Sequence, residues 1–354
     1  MKQELIDFLK IYDDGIENNE FVNSCKVSSP NRFKSLYSVS RLFLQVLISK
    51  RKGVNDNFRN LKLEWQPLHK TVLQSNDGME VSVVNHKHVQ GEIKLYQLCS
   101  LKDIITFLLT IPHSVRQRNY DSSWLTFRIL DRLIAHSSIK SINIAGHYDA
   151  YTTWIALLAK RYGKELTISQ HGVCAGVELP HRIPVNRILS FSQAEAEMFK
   201  RFLLNPEKTI FEIKGFKSSV HFERGGFSRR TIAIASQPGY ESLVKELSAI
   251  IIQKVSSSHL IIYPHPLDSY RNVDYLKVDG FDIQVTRKRY NDIDILIIFN
   301  STLAYDYIAC PDFRGQIVCY YHPLDNTDLA VYHDSRIHMI RPSEFESYLT
   351  TQLP

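Results

Sequence analysis

The feature that most constrains the fold is an alternation, from about residue 120 onward, of short apolar runs with amphipathic segments of helical length. Ile142–Ala145 and Glu165–Ser169 are typical of buried strands, and Tyr151–Tyr162 between them has helical spacing. A strand, a helix and a strand in this order form a βαβ unit, in which the two strands are parallel. Trp124–His136 is a further predicted helix, so this part of the chain predicts a parallel sheet covered by helices.

A second set of the same kind follows, with strands at Thr231–Ala235 and His259–Tyr263 around a helix at Tyr240–Val255. Three further strands are predicted, at Asp282–Thr286, Asp294–Phe299 and Gln316–Tyr321. Between the two sets, Lys214–Arg230 carries three glycines and several polar residues, as linkers do. We therefore expect an α/β protein with two Rossmann-like domains, residues 1–225 and 226–354, facing each other across a cleft.

The first third of the chain has weaker patterns. Leu5–Tyr12 has the spacing of an amphipathic helix, and Tyr37–Ser49 that of a more buried one. Met79–Val84 and Ile93–Leu98 favour strands because β-branched and other apolar residues dominate them.

Composition limits the class of protein. Hydrophobic residues make up 44% of the 354 residues and charged residues 23%, the balance of an ordinary globular protein. No apolar run approaches the roughly 20 residues that span a bilayer. The five cysteines are scattered, and the N-terminus lacks a signal-peptide pattern, so we expect reduced thiols and a cytoplasmic location. The net charge of +6 is compatible with an anionic ligand, a peripheral contact with an anionic membrane surface, or nucleic acid.

Polar segments directly follow several predicted strands, where open α/β sheets bind their ligands. The first is Gln170-His171-Gly172. His171 could act as a general base, because an ordinary histidine has a pKa near 6.5. Gly172 would let the backbone turn sharply and let a ligand approach. A hydrogen-bonded loop histidine with no catalytic role explains this segment alone equally well.

Three such segments lie in the C-terminal half. In Tyr263-Pro264-His265-Pro266 the two prolines stiffen the backbone around His265, which suits an imidazole that donates to a phosphate oxygen. Asn300-Ser301-Thr302 precedes a predicted helix, so Ser301 and Thr302 could cap that helix, bind an anion, or do both. Ser236-Gln237-Pro238-Gly239-Tyr240 occupies the first βα turn, where a ribose or phosphate often lies.

Several other classes of site are not expected. The chain has no Walker motif, no G-x-G-x-x-G fingerprint and no G-x-S-x-G elbow, which disfavours P-loop ATPases, ordinary dehydrogenases and α/β-hydrolases. His86-Lys87-His88 has no further ligand at metal-binding spacing, so no metal site is predicted. No RNP-like or helix-turn-helix pattern organises the aromatic residues, and nucleic-acid binding is not expected.

Taken in order, these segments resemble a known group of enzymes over roughly residues 140–325. The runs that carry the resemblance are GHYDAYTTWIALLAKRYGKELTISQHGV, IFEIKGF, LIIYPHP and DILIIFNSTLAYDYI. They resemble bacterial surface-polysaccharide glycosyltransferases of the GT-B fold, in particular the sialyltransferase, polysialyltransferase and Kdo-transferase families. CDP-glycerol glycerophosphotransferases have a similar layout.

The resemblance implies roles for individual residues. In those families a His-Pro pair and a downstream Ser/Thr pair bind the phosphate of a cytidine nucleotide, which corresponds here to His265-Pro266 and Ser301-Thr302. Their catalytic base lies in a short N-terminal-domain motif that ends in glycine. Sialyltransferases have two acidic residues before that glycine, whereas this chain has Gln170-His171-Gly172, closer to the His-Gly of the glycerophosphotransferases. The resemblance therefore implies that His171 is the base.

It also implies a set of substrates and subsites. Gln170, Gly172 and His147 would belong to the acceptor-side loop, and the donor side would add three residues, Ser236, Gln237 and Gly239. The expected enzyme is an inverting, metal-independent glycosyltransferase that uses a nucleotide sugar, with CMP favoured, and no other cofactor. Its acceptor would be a glycan or lipid-linked glycan at the inner membrane. Three alternatives remain open, namely a CDP-alditol phosphotransferase, a nucleotide-sugar epimerase and a non-catalytic partner in polysaccharide assembly.

Overall fold

The structure is a computed structural model, and it describes residues 7, 9–18, 59–64, 80–84, 93–98, 123–146, 149–201, 206–214, 218, 220–237, 239–255, 257–265, 283–299, 301–321 and 329–352. The chain forms two compact units. Unit 1 comprises residues 1–171, 178–190 and 200–212, and unit 2 comprises residues 172–177, 191–199 and 213–354. Residues 172–177 and 191–199 thus belong to unit 2 although they precede the predicted boundary near residue 225.

The described part of unit 1 contains a seven-stranded sheet in the order β3-β2-β1-β4-β5-β6-β7. Its strands are β1 (Asn60–Glu64), β2 (Glu80–Val84), β3 (Ile93–Lys94), β4 (Ser141–Ile144), β5 (Glu165–Ser169), β6 (Arg187–Ser190) and β7 (Ile210–Ile213). The strand pairs from β3 across to β6 are all parallel. This order reverses between β1 and β4, as in a doubly wound Rossmann sheet.

Helices α1 (Ser123–Ala135) and α2 (Ala150–Arg161) pack against each other in unit 1. α2 begins where the Asp149 side chain accepts the backbone N–H of Thr152 at 2.7 Å, which satisfies one of the free amides of the first turn. Trp154 on α2 is fully buried, and its indole N–H donates to the carbonyl of Tyr12 at 3.0 Å. Tyr12 belongs to a helix over residues 9–18, so the helix predicted for Leu5–Tyr12 extends to residue 18.

The described part of unit 2 contains a six-stranded sheet in the order β11-β10-β9-β13-β14-β15. Its strands are β9 (Thr231–Ala235), β10 (His259–Tyr263), β11 (Ile283–Val285), β13 (Ile295–Ile298), β14 (Gln316–Tyr320) and β15 (His338–Ile340). All five neighbouring pairs are parallel. A separate parallel pair joins β8 (Phe222–Glu223) to β12 (Arg289–Tyr290). The two parallel sheets confirm the α/β class and two Rossmann-like domains.

Apolar layers cover both faces of the second sheet. On one face the core includes α4 (Glu241–Lys254) and α6 (Pro342–Gln352), through buried residues such as Leu247 and Phe345. On the other face lies α5 (Leu303–Ala309), through Tyr305 and Tyr307. α3 (Gln193–Lys200) begins in unit 2 and ends at the first residue of a unit 1 segment. No helix in the described ranges is long and apolar enough to cross a membrane.

Some predicted elements differ from the structure. The strand predicted over Ile93–Leu98 is wrong beyond Lys94, because Leu95–Leu98 form a 3-10 helix that contacts α1. Its last residue, Leu98, is buried, so the apolar pattern reflected burial rather than strand geometry. Gln316–Tyr321 is not the last strand, since β15 follows it. The helix predicted at Tyr37–Ser49 lies outside the described residues.

Candidate functional site

The clearest candidate site lies at the carboxyl-end edge of the unit 2 sheet. The strand order reverses between β9 and β13, which are direct neighbours. Ser236 follows β9 directly, and Ser301 and Thr302 come shortly after β13. His265 follows β10, the neighbour of β9 on its other side. Three of the predicted segments are therefore brought to one edge, at the point where open α/β sheets bind ligands.

Ser236 is the most deeply buried of these residues, with 2% of its surface exposed. Its backbone N–H donates to the carbonyl of Tyr263 at 2.9 Å and extends the pairing of β9 with β10. Its hydroxyl has no hydrogen-bond partner among the described residues. A buried hydroxyl without a partner carries a desolvation cost, and a bound polar ligand would remove that cost.

The turn from β9 into α4 contains Gly239, whose φ of +88° is a conformation that L residues rarely adopt. Its backbone N–H donates to the Glu241 carboxylate at 3.2 Å, in the first turn of α4. Gln237 is half-buried and its carbonyl accepts the N–H of Tyr240 at 3.1 Å. The local sequence therefore builds a tight turn directly after the buried Ser236.

His265 is half-buried and follows the buried residues Tyr263 and Pro264. The Tyr263 side chain is buried and makes two close contacts. Its hydroxyl lies 3.0 Å from that of Tyr307. The Arg289 guanidinium lies over the face of its ring, 4.4 Å from the ring centre. His265 thus lies two residues after the closely packed carboxyl end of β10. Pro266, which was predicted with it, lies outside the described residues.

Ser301 and Thr302 directly precede α5, but only Ser301 makes a side-chain hydrogen bond to the first turn of the helix. The hydroxyl of Ser301 accepts the backbone N–H of Leu303 at 3.2 Å. Thr302 stands at the N-cap position without a side-chain capping hydrogen bond. The capping part of the prediction therefore holds for Ser301, while the Thr302 hydroxyl is not used to cap the helix.

In unit 1, His171 follows β5 and its Nδ1 atom is in hydrogen-bond contact with the carbonyl oxygen of Ala145, which follows β4. A carbonyl oxygen only accepts, so Nδ1 carries the proton and the neutral ring has its lone pair on Nε2. Burial lowers the pKa of His171 below its ordinary 6.5, although the Ala145 hydrogen bond and the charge of Asp149 partly oppose this. His171 is therefore a neutral imidazole near pH 7, with Nε2 as its basic atom.

The β4–α2 turn beside His171 is closely packed. A Cβ atom on Gly146 would lie 2.6 Å from the hydroxyl oxygen of Thr152, so only glycine fits without a shift. Gln170 is 1% exposed, and its N–H donates to the carbonyl of Leu189 at 2.9 Å, which extends the pairing of β5 with β6. His147 lies outside the described residues.

Gly172 belongs to unit 2 rather than unit 1. The chain therefore changes unit directly after His171.

The Asp292-Ile293-Asp294 run lies at the opposite, amino-end edge of the unit 2 sheet. The Asp292 carboxylate accepts the backbone N–H groups of Gly225 and Gly226 at 2.8 and 2.9 Å. Asp294 accepts the N–H of Thr231, the first residue of β9, at 2.7 Å. These two aspartates line a cavity of about 440 Å³, but their carboxylates already hold backbone amides together. In the described ranges no three His, Cys, Asp or Glu side chains are grouped so that they could hold a metal ion.

Sequence reasoning missed one residue beside the candidate base and one that contacts the segment after it. Asp149 contributes a negative charge near His171, and its position before an apolar helical run could have identified it as an N-cap. Glu195, which is fully buried, accepts the N–H of Cys174 at 2.8 Å. Nothing in the local sequence around Glu195 indicates that contact.

No protein-family model matches the chain, and no curated protein matches it. Among solved structures, the chain is similar to Anabaena HepE in complex with UDP, at 11% identity and a TM-score of 0.49, over 83% of this chain and 89% of that one. It is similar to UDP-GlcNAc 2-epimerase from Neisseria meningitidis bound to UDP-GlcNAc, at 10% identity and a TM-score of 0.47, over 84% and 91%. It is also similar to the wall teichoic acid polymerase TagF soaked with CDPG, at 11% identity and a TM-score of 0.42, over 90% and 88%.

Proposed function

We propose that the chain is a nucleotide-sugar-dependent glycosyltransferase whose unit 2 binds the donor nucleotide. The observation that carries this proposal is the placement of Ser236 and Thr302 on either side of the strand-order reversal, with His265 on the adjoining strand end. In open α/β sheets this is where nucleotides bind. The His-Pro and Ser-Thr resemblance described above points to the phosphate as the group recognised there.

The chemistry of these side chains suits a phosphate. The His265 imidazole would donate a hydrogen bond to an anionic phosphate oxygen, and the Thr302 hydroxyl would donate another. The buried Ser236 hydroxyl would gain the partner that it lacks among the described residues. Such donors, fixed before the reaction, stabilise the negative charge that develops on a leaving phosphate.

His171 is the proposed general base. Its Nδ1–H is committed to the Ala145 carbonyl, which fixes the tautomer and orients Nε2 as the proton acceptor. Its lowered pKa keeps the ring neutral, as a base must be before it takes a proton. A positioned base of this kind contributes about 10²–10⁴-fold to a rate.

The proposed reaction is a single displacement. The acceptor hydroxyl oxygen forms a bond to the anomeric carbon of the donor sugar while the bond from that carbon to the phosphate oxygen breaks. The hydroxyl proton passes to Nε2 of His171, and the nucleotide leaves with the bonding electron pair. Attack opposite the leaving group inverts the anomeric carbon. The proposed phosphate partners are side chains, so the step is proposed to need no metal cofactor.

The donor proposed is a CMP-activated sugar of the sialic-acid or Kdo type, because the resemblance through His265 and Ser301-Thr302 is to cytidine-nucleotide enzymes. The acceptor proposed is a bacterial surface glycan, either free or lipid-linked at the inner membrane. A CDP-alditol phosphotransferase is the second candidate, and one observation favours it: a histidine at position 171 rather than a carboxylate.

A thermal-shift titration with CMP, CDP, UMP, UDP and GDP tests the proposal. CMP or CDP should raise the melting temperature most, and the uracil and guanine nucleotides should raise it little. Both enzymes would release CMP, because the phosphotransferase splits the diphosphate of its CDP-alditol donor. Release of CMP from a CMP-sugar, measured against its release from CDP-glycerol, therefore distinguishes the glycosyltransferase from the phosphotransferase. No stabilisation by any of the five nucleotides would contradict a nucleotide site on unit 2.

A further inference from the structure

The six residues that follow His171 are held by unit 2. The first segment of unit 1 ends at His171, Gly172–Val177 belong to unit 2, and the chain returns to unit 1 at Glu178. Cys174, three residues after His171, is fully buried, and its carbonyl accepts the N–H of Ala330 at 2.9 Å. Ala175 forms an antiparallel bridge with Leu329. The segment just beyond the proposed base is therefore held by a backbone hydrogen bond, by an antiparallel bridge and by the buried Cys174 side chain.

A buried carboxylate completes this attachment. The backbone N–H of Cys174 donates to Oε2 of Glu195 at 2.8 Å, and Glu195 is fully buried. The backbone N–H of Glu195 is itself held by the Ser192 hydroxyl at 3.2 Å, at the start of α3. A carboxyl group that is buried so deeply is costly unless it is hydrogen-bonded, and the Cys174 N–H supplies one such bond.

Tyr305 connects the same carboxylate to the helix that follows the proposed phosphate site. The Tyr305 hydroxyl lies 2.7 Å from Oε1 of Glu195. Burial and the negative charge of Glu195 raise the pKa of Tyr305, so the phenol stays protonated and donates its hydrogen. Tyr305 stands on α5, three residues after Thr302. One carboxylate therefore joins the segment after His171 to the helix after Thr302.

We infer that Glu195 is a positioning residue for His171, and that Tyr305 holds Glu195 in place through α5. This inference rests on the proposed function, since it concerns the placement of the proposed base. Glu195 acts through its hydrogen bond to the Cys174 amide and not as an acid or base. A displacement of a catalytic group by about 1 Å can cost about 10²-fold in rate, which sets the size of the effect.

The test compares Glu195→Ala, Glu195→Gln, Tyr305→Phe and Tyr348→Phe in the full chain. Turnover is measured as release of CMP from CMP-N-acetylneuraminic acid or CMP-Kdo, with water in place of the acceptor hydroxyl, and CMP affinity is measured by titration. A glutamine keeps a carbonyl for the Cys174 N–H and an NH2 group for the Tyr305 oxygen, so it preserves the geometry without the charge. Tyr348→Phe is the control, because it removes a phenol hydroxyl that donates to the Gln316 side chain at the start of β14, at the edge of the unit 2 sheet opposite the candidate site.

The expected results separate positioning from general stability. Glu195→Ala should lower kcat by about 10- to 100-fold with CMP affinity unchanged, and Glu195→Gln should stay within about 3-fold of the parent. Tyr305→Phe should lower kcat by about 3- to 10-fold, while Tyr348→Phe should leave it unchanged. If Glu195→Ala does not fold, the comparison of Tyr305→Phe with Tyr348→Phe decides alone.

A double variant shows whether Glu195 acts through His171. His171→Ala combined with Glu195→Ala should be no slower than His171→Ala alone, because Glu195 can no longer affect the rate through His171 once the imidazole is absent. Additive losses, or equal losses in Glu195→Gln and Glu195→Ala, would overturn the inference while leaving the proposed function intact. Full turnover in His171→Ala would overturn the base assignment and this inference together.

Discussion

The Nδ1 atom of His171 is hydrogen-bonded to the carbonyl oxygen of Ala145, and this contact decides which nitrogen can act. The two residues follow neighbouring parallel strands, β5 and β4, so the strand pairing itself brings them together. Because the carbonyl can only accept, the neutral ring must present Nε2 as its acceptor. This hydrogen bond therefore selects one neutral tautomer of His171, the proposed base.

This arrangement predicts the pH dependence of catalysis. Burial lowers the pKa of His171 below 6.5, so the base form persists to lower pH than that of an exposed histidine. Activity should therefore be constant near pH 7 and fall only when the pH drops through the lowered pKa. A pH profile of kcat measures this, and an acidic limb centred well above pH 6.5 would contradict the assignment. The limb should vanish in His171→Ala, with CMP affinity retained.

His265→Ala should weaken CMP binding by about 1.5–3 kcal/mol, roughly 10- to 150-fold, because it removes a hydrogen bond to a charged phosphate. Calorimetric titration with CMP checks this. His259→Ala is the matched control, since His259 starts the same strand at its opposite end and is bonded to the Gln284 side chain at 2.8 Å. Equal losses of affinity in both variants would show that the effect is structural.

Ser236→Ala should weaken CMP binding without lowering the stability of the free protein. It removes a buried hydroxyl that has no partner among the described residues, so the melting temperature of the free protein should not fall. CMP affinity should fall by about 1–2 kcal/mol, because the ligand loses that partner.

Ser248→Ala provides the comparison for Ser236→Ala. Ser248 is fully buried, but its hydroxyl donates to the carbonyl of Val244 at 2.7 Å within α4. This variant should lose some stability and keep its CMP affinity. Unchanged CMP affinity in Ser236→Ala would remove Ser236 from the site.

The raised pKa of the buried Asp306 carboxyl predicts that the free energy of unfolding depends on pH. Burial raises its pKa to about 6, while the hydrogen bond from Ser218 at 2.7 Å and the charge of Arg289 partly oppose this. The folded state thus binds the proton more tightly than the unfolded state does. The stabilising contribution is complete below about pH 4 and is lost as the pH rises through about 6.

Asp306→Asn should therefore raise the free energy of unfolding by about 1–3 kcal/mol at pH 7.5 and by little at pH 4. Denaturant unfolding at both pH values measures the difference. The exposed Asp312→Asn variant is the control and should change neither value. An equal gain at both pH values would contradict the raised pKa.

Four strands of unit 2, β9, β10, β13 and β14, could be predicted because each is a short, mostly buried apolar run. β9 and β10 begin and end where the sequence predicts. β1 was missed, although it lies inside the unit 1 sheet and its polar residues alternate with two leucines as in a half-buried strand. Lys62 is nevertheless buried, which its residue type does not suggest.

The residues of the candidate site could be predicted only where they follow a predicted strand. Ser236, His265 and Ser301 follow strands, so the strand prediction places them at one edge. Glu195 was not predictable, because its segment resembles a surface helix and its partners Cys174 and Tyr305 are 21 and 110 residues away. Such contacts arise from tertiary structure and leave no local signal.

The most direct test of the central claim is release of CMP from CMP-N-acetylneuraminic acid and CMP-Kdo by the parent chain and by His265→Ala and His171→Ala, all in EDTA. The account predicts that the parent releases CMP from at least one donor without a divalent metal. It also predicts that His265→Ala loses affinity for CMP and that His171→Ala binds CMP normally but turns over about 10²–10⁴-fold more slowly. Parent-level release by both variants, or no release from either donor by the parent chain, would contradict the account.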